Sequence, residues 1–213
     1  MRTLLAGMLA FLPLVLAQDS RLLKFVEPRY DQYSEDLTTD YDAAIASVTI
    51  TVLADGKPFT LDKSSLPLPL AVVMALQDYE FRPQGTIPHG RPAIEGETSQ
   101  VTLNVPIRQG KGSVLQSQSA IRVRSGISKG LLLHQVRPEY PEAARLSRIQ
   151  GMIALEAVIT EQGEVKSVRI GSGPFILIEA AYNAVLQWQY RPYPANREPV
   201  EVVTDIVVNF ALQ

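Results

Sequence analysis

The sequence predicts an α+β fold made of two small domains, each a three-stranded antiparallel sheet with one or two helices packed on one face. Three observations lead there. Apolar residues alternate at Ile153, Leu155, Ala157 and Ile159, the period of a strand with one buried face. From Phe175 the period becomes helical, and Leu177, Ala181, Ala184, Val185 and Trp188 fall on a single stripe. Both patterns recur upstream, where a shift of 109 positions puts Leu68, Val72, Ala75, Leu76 and Tyr79 in the places of that stripe.

The elements follow in chain order. Arg2 precedes an apolar run from Leu4 to Leu16, broken by Pro13 and ending in a small-residue pattern at Ala17. Residues 1–17 therefore read as a signal peptide, which places the chain in the soluble periplasm. The rival is an inner-membrane anchor facing the periplasm, and only an uncleaved segment brings the chain into contact with the membrane. A helix of about 14 residues reaches only ~21 Å against a hydrocarbon core of ~30 Å. Residues 18–108 then form the upstream domain. Val48, Ile50 and Val52 are its first strand, Asp55 and Gly56 its turn, and Val101, Leu103, Val105 and Ile107 its last strand. Residues 109–128 read as a linker, rich in Gly, Ser and Gln up to Ser119, with Ile121 and Val123 as a short extra strand.

Residues 129–213 form the downstream domain. Pro141, Glu142, Ala143, Ala144 and Arg145 start a short helix, with proline in the first turn and an acid near the positive end of the dipole. The strand at Ile153 turns at Gln162 and Gly163 and returns through Val168 and Ile170. Gly171, Ser172, Gly173 and Pro174 are expected to end it. Beyond the Phe175 helix, Pro192 and Pro194 stop any continuation, and Ile206, Val208, Phe210 and Leu212 line one face of a last strand. Val26, Pro28 and Tyr30 echo Val136, Pro138 and Tyr140, and Phe81, Arg82 and Pro83 match Tyr190, Arg191 and Pro192, so the two domains read as a divergent tandem duplication.

Composition narrows the function. The 213 residues are 46% apolar, enough for packed cores, and 20 basic against 22 acidic residues leave no cationic field for nucleic acid. Absence of cysteine removes disulfides, thiol catalysis and cysteine-ligated metal.

One ordered set of residues carries a resemblance. Val136, Pro138, Tyr140, Pro141, Ala143, Ala144 and Arg145 are followed by Gln150, Gly151 and Gly163, then by Ala180, Ala184, Trp188, Tyr190 and Pro192. Over residues 129–212 this resembles the C-terminal domain of the TonB family. The resemblance implies a periplasmic docking module without catalysis, which receives a peptide segment of an outer-membrane receptor as an added strand. An exposed sheet edge has unpaired N–H and C=O groups, so backbone bonding supplies the affinity. On this reading residues 204–211 are the receiving edge, with Thr204, Asp205, Val207, Asn209 and Ala211 as its contacts. Arg137 sits in the lead-in toward the receptor plug, where some relatives carry a polar amide that a guanidinium replaces as donor. Upstream, Pro106 interrupts the equivalent strand and should resist augmentation.

Other residues invite chemistry. His89 and His134 have no metal-ligand spacing, and no cofactor is expected. Gly171, Ser172 and Gly173 lack the Lys and Ser or Thr of a phosphate loop and read as a turn. Trp188, Tyr190, Arg191 and Tyr193 resemble a stacking platform, but Trp188 belongs to the core stripe, leaving Tyr193 as an exposed contact. Glu156, Glu161 and Glu164 could be an acid and base pair, yet Glu156 lies on the outer face and the others flank a turn, so all three read as solvated. With no nucleophile motif, the chain is not expected to be an enzyme.

The expected function is docking by strand addition on outer-membrane receptors or other transport machinery, linked to transmembrane transport. Energy transduction itself is not expected, because no convincing anchor and no long Pro-rich segment precede the domain, and a linker of about 20 residues reaches only ~25 Å. The alternative is a non-transducing envelope scaffold or a self-associating module, with homodimerisation by strand exchange at the same edge.

Overall fold

The computed structural model describes residues 20–32, 41–83, 98–110, 120–125, 130–196 and 198–212. The expected signal peptide, His89 and most of the expected linker lie outside them. The upstream half contains β1 (Leu22–Lys24), a 3-10 turn at Tyr30–Gln32, β2 (Tyr41–Leu53), β3 (Pro58–Ser64), α1 (Leu70–Gln77), β4 (Glu80–Phe81) and β5 (Thr98–Gly110). Next comes the short strand β6 (Ile121–Val123). The downstream half contains β7 (Leu132–His134), α2 (Glu142–Leu146), β8 (Gly151–Ile159), β9 (Val165–Pro174), α3 (Phe175–Val185), β10 (Gln189–Tyr190), β11 (Tyr193–Ala195), β12 (Glu198–Val200) and β13 (Val202–Phe210).

The α+β class is as the sequence predicts, but the two three-stranded units are joined. One seven-stranded sheet runs β5-β2-β3-β9-β8-β13-β6, antiparallel throughout except for the parallel pair β13 and β6. In each half the outer long strand pairs with the first, and the first with the second, so the halves meet through their second strands. At that seam Thr60 faces Pro174 and Leu61 faces Gly173. Leu68 and Ile170 exchange both backbone hydrogen bonds at 2.8 Å. Pairing β3 with β9 removes two strand edges that separate domains would have exposed.

The seam also explains a departure from the sequence reading. Gly171 through Gly173 do not break the returning strand and do not form a turn; they belong to it, and it ends only at Pro174. Register shifts between Ala154 and Leu155, whose partners are Ser172 and Ile170, so Gly171 is the extra residue of a bulge. A Cβ on Gly173, at φ 139°, would press on the Ile153 side chain and the Met152 carbonyl. Glycine lets β9 bend here toward β3.

Each long helix follows a proline held near φ −58°, Pro69 before α1 and Pro174 before α3, and Pro141 plays the same part for the short α2. Proline fixes the entry angle and has no N–H to donate to a strand ladder. Both helices lie against the sheet and bury Leu70, Val72, Val73 and Leu76 from one half, Leu177, Ile178, Ala181 and Val185 from the other. The sheet contributes Val48, Ile50, Leu61, Leu103, Ile153, Leu155, Val168 and Ile170 to the same core.

The β2-β3 and β8-β9 hairpin turns are built alike. Gly56 at φ 86° and Gly163 at φ 88° each donate three residues back, to Leu53 and Thr160, at 2.9 Å. Their carbonyls accept from Phe81 at 3.0 Å and Tyr190 at 2.8 Å. A Cβ on either glycine would overlap the carbonyl oxygen of that same partner, so both positions require glycine. Arg82 and Arg191 then donate to Arg21 and Leu131, at 2.7 Å each, which fixes the small β1-β4 and β7-β10 ribbons.

Candidate functional site, the edge of the downstream sheet

β13 pairs with β8 along its whole length, from Val202 opposite Ile159 to Phe210 opposite Gly151. Val202, Thr204, Ile206, Val208 and Phe210 are buried, while Asp205, Val207 and Asn209 are exposed. The other side of β13 is a sheet edge. There the Ile121 N–H donates to the Glu201 carbonyl at 3.1 Å. Backbone direction alternates along a strand, so the N–H and C=O groups of Val203, Asp205, Val207 and Asn209 point to this edge as well. β6 covers it only opposite Val202, Val203 and Thr204. From Asp205 to Phe210 no strand among the described residues pairs with it.

Three of the expected contacts, Asp205, Val207 and Asn209, thus direct their backbone groups to the open edge and expose their side chains on the outer face beside it. Two do not. The Thr204 side chain is fully buried, and the parity of the ladder turns its backbone to β8. Ala211 lies just past the end of β13.

The lead-in to this domain is tied to the strand's far end. Trp188 Nε1 donates to the Val136 carbonyl at 2.8 Å, and Tyr140 Oη donates to the Ile149 carbonyl at 2.6 Å. The Tyr140 ring meets Phe210 edge-on at 5.4 Å and 85°. Arg137, between Val136 and Pro138, is exposed. The other motif residues are structural. Ala184 and Trp188 are buried on or just past α3, Tyr190 receives the Gly163 turn, and Pro192 follows directly. Tyr193 is half-buried against the core in β11 and is not the exposed contact expected of it. Burial raises the Tyr190 phenol to about 12.

Glu156 also differs from expectation. It does lie on the outer face of β8, opposite Arg169 of β9 and Asp205 of β13, but it is not solvated. Its side chain is 8% exposed, hydrogen-bonded to Arg122 of β6, and Arg122 reaches Asp205 as well at 3.3 Å. The Glu156 hydrogen bond holds the Arg122 guanidinium above its ordinary range. Alternation places a residue on a face but says nothing of what covers that face. The I-R-V spacing in the linker was the available signal, and it gave the strand without its position.

The opposite edge of the sheet is β5, and it is blunted. Pro106 sits within the strand, opposite Ile45, and does not interrupt it. The Arg108 N–H points outward, donating to Tyr30 Oη at 3.0 Å, and the Arg108 guanidinium lies 5.1 Å from the centre of the Tyr30 ring. By the same parity, the N–H that Pro106 lacks would have pointed outward, where proline is tolerated.

His134 is exposed on β7. Among the described residues no group of His, Cys, Asp and Glu could hold a metal, and no helix is long and apolar enough to cross a membrane.

Residues 136–212 match the family described as Gram-negative bacterial TonB protein C-terminal. This stretch is similar to the C-terminal domain of the TonB family. A curated relative, Protein TonB of Vibrio cholerae serotype O1 (strain ATCC 39315 / El Tor Inaba N16961), is 32% identical over 85 residues. That match covers 39% of this chain and 35% of the relative, so the chain spans about a third of the length of the curated TonB it matches. A solution NMR structure of the Pseudomonas aeruginosa TonB CTD is 20% identical, covering 38% of this chain and 85% of that one at a TM-score of 0.34. The matched segment contains α2, β8, β9, α3 and β13, hence the open edge.

Proposed function

We propose that this protein docks on outer-membrane receptors or other envelope transport proteins by accepting an extended segment of the partner as a strand along β13. The observation that carries the reading is the run from Asp205 to Phe210, where Asp205, Val207 and Asn209 direct outward backbone groups that no strand among the described residues pairs, from a strand whose other side is fully paired. Such an edge binds through main-chain bonds and reads side chains at alternate positions. The upstream edge, with Pro106 and with Arg108 capped by Tyr30, is unsuited to this, so the C-terminal half binds and the upstream half serves as a scaffold.

The remaining readings are part of the same proposal. Residues 1–17 direct export to the periplasm, residues 18–108 are a divergent tandem copy of residues 129–213, and residues 109–128 connect them. The matched glycine turns, proline-led helices and short ribbons support the duplication. Arg137 contacts the receptor from the lead-in.

A photo-crosslinking amino acid at Asn209, in cells expressing the full chain, tests the reading. Adducts with an outer-membrane receptor, absent when the probe stands at Arg108, are the expected result. Adducts only with a second copy of the chain would replace docking with self-association, and an envelope-integrity defect with normal uptake on deletion would favour a scaffold.

A further inference from the structure

The receiving edge is already partly filled by this chain, and its occupant has a definite chemistry. Ile121, Arg122 and Val123 run parallel to β13, opposite Val202, Val203 and Thr204. Val123 is buried, and Arg122 bridges Glu156 and Asp205. The two carboxylates differ: the Asp205 side chain is 65% exposed, Glu156 only 8%. Water can satisfy Asp205 if Arg122 leaves. With Arg122 in place Glu156 has little access to water, and a carboxylate held out of water without a partner is costly. A segment that replaces β6 with a cation of its own restores the contact that Glu156 loses with Arg122.

Direction decides whether β6 has to leave. Because β6 is parallel to β13, the chain exits at Arg124 and Ser125 along the same edge, toward Asp205. A strand laid on residues 205–210 and extended toward the start of β13 would run into that exit. An added strand using the whole edge must take the place of β6.

We infer that β6 is a self-ligand of the docking edge, and that the partner segment, on the strand-addition reading above, runs parallel to β13 and carries a Lys or Arg between two apolar residues, its cation bound by Glu156 and Asp205. Ile121-Arg122-Val123 is the template. The apolar residue after the cation takes the buried site of Val123, and the cation completes the hydrogen bonding of Glu156. Occupation by β6 lowers apparent affinity to the fraction of it set by the time the edge is open. It also keeps a hydrogen-bonding strand edge from pairing indiscriminately.

The test uses the full chain and two fluorescent peptides. One copies residues 120–125 followed by Thr-Val-Thr; the other has Glu in the place of Arg122. In the chain, Arg122→Glu sets a like charge against Glu156 and Asp205 and expels β6. Anisotropy should show this variant binding the basic peptide at least about tenfold tighter than the unaltered chain does, since its edge is open. It should also prefer the basic over the acidic peptide by about tenfold or more, the scale of a desolvated charge contact. Glu156→Gln, which keeps the shape of the face, should lose most of that preference. If Arg122→Glu takes both peptides equally well, cation reading is wrong while strand addition stands. If it takes neither, with near-UV circular dichroism matching the unaltered chain, the docking edge itself is refuted. Equal affinity of the basic peptide for both chains would show that β6 does not cover the edge.

Discussion

Trp188 joins the core stripe of α3 to the lead-in through one hydrogen bond, from Nε1 to the Val136 carbonyl. Trp188→Phe keeps most of the apolar contact and leaves that carbonyl unpaired, so it should cost about 1–2 kcal/mol in chemical denaturation. Tyr79 is the opposite case. Its Oη is buried without a hydrogen-bond partner among the described residues, so Tyr79→Phe should be neutral or stabilise by up to about 1 kcal/mol. Burial also raises the phenols of Tyr79 and Tyr190, the latter to about 12. Between the unfolded tyrosine value near 10 and that folded value, the native state holds the protons and the unfolded chain releases them, so stability is complete below about pH 10 and falls as pH rises from there. Tyr190→Phe should flatten that alkaline decline in pH-dependent unfolding; an unchanged slope would mean Tyr190 has no part in it.

At the scale of elements, the open edge makes a prediction that separates pairing from folding. Asn209 is exposed, and its N–H points away from β8. Asn209→Pro therefore removes a donor from the edge without breaking the ladder to β8, whereas Val208→Pro breaks that ladder. The first variant should stay folded, losing about 1 kcal/mol or less, and lose strand addition; the second should lose about 3 kcal/mol or more. Thermal melting beside peptide binding distinguishes them. Strands β8 and β13 and helix α3 could be read from the sequence because each keeps one period over nine or more residues. The continuation of β9 through Gly171 and Gly173 could not, since those glycines act as breakers locally and become a bulge only when β3 supplies a partner. The two-residue ribbon strands β4 and β10 carry no period at all, and their pairing depends on contacts some 60 residues away in sequence. Of the candidate site, the strand was legible, whereas the burial of Glu156 depends on a three-residue segment elsewhere in the chain.

For the whole molecule, the seam decides whether two halves behave as one. The backbone join is short, two residue pairs between β3 and β9 plus the Leu68 and Ile170 bridge, but it is centred on buried residues. Leu61, Leu68 and Ile170 are each fully buried in a core that draws on both helices. Separating the halves would expose that apolar surface and two unpaired strand edges together, a larger loss than the few hydrogen bonds suggest. Cooperative unfolding of the full chain is the expected consequence. Trp188, the only tryptophan, reports on the downstream half alone, while far-UV circular dichroism reports on both. The two urea transitions should coincide in midpoint and slope. Leu61→Asp, a charge placed in the seam, should split them, with the tryptophan transition keeping a single step as the downstream half unfolds by itself. Two separate transitions in the unaltered chain would mean that the continuous sheet does not couple the halves, and the upstream half would then lose its part as a scaffold for the docking edge.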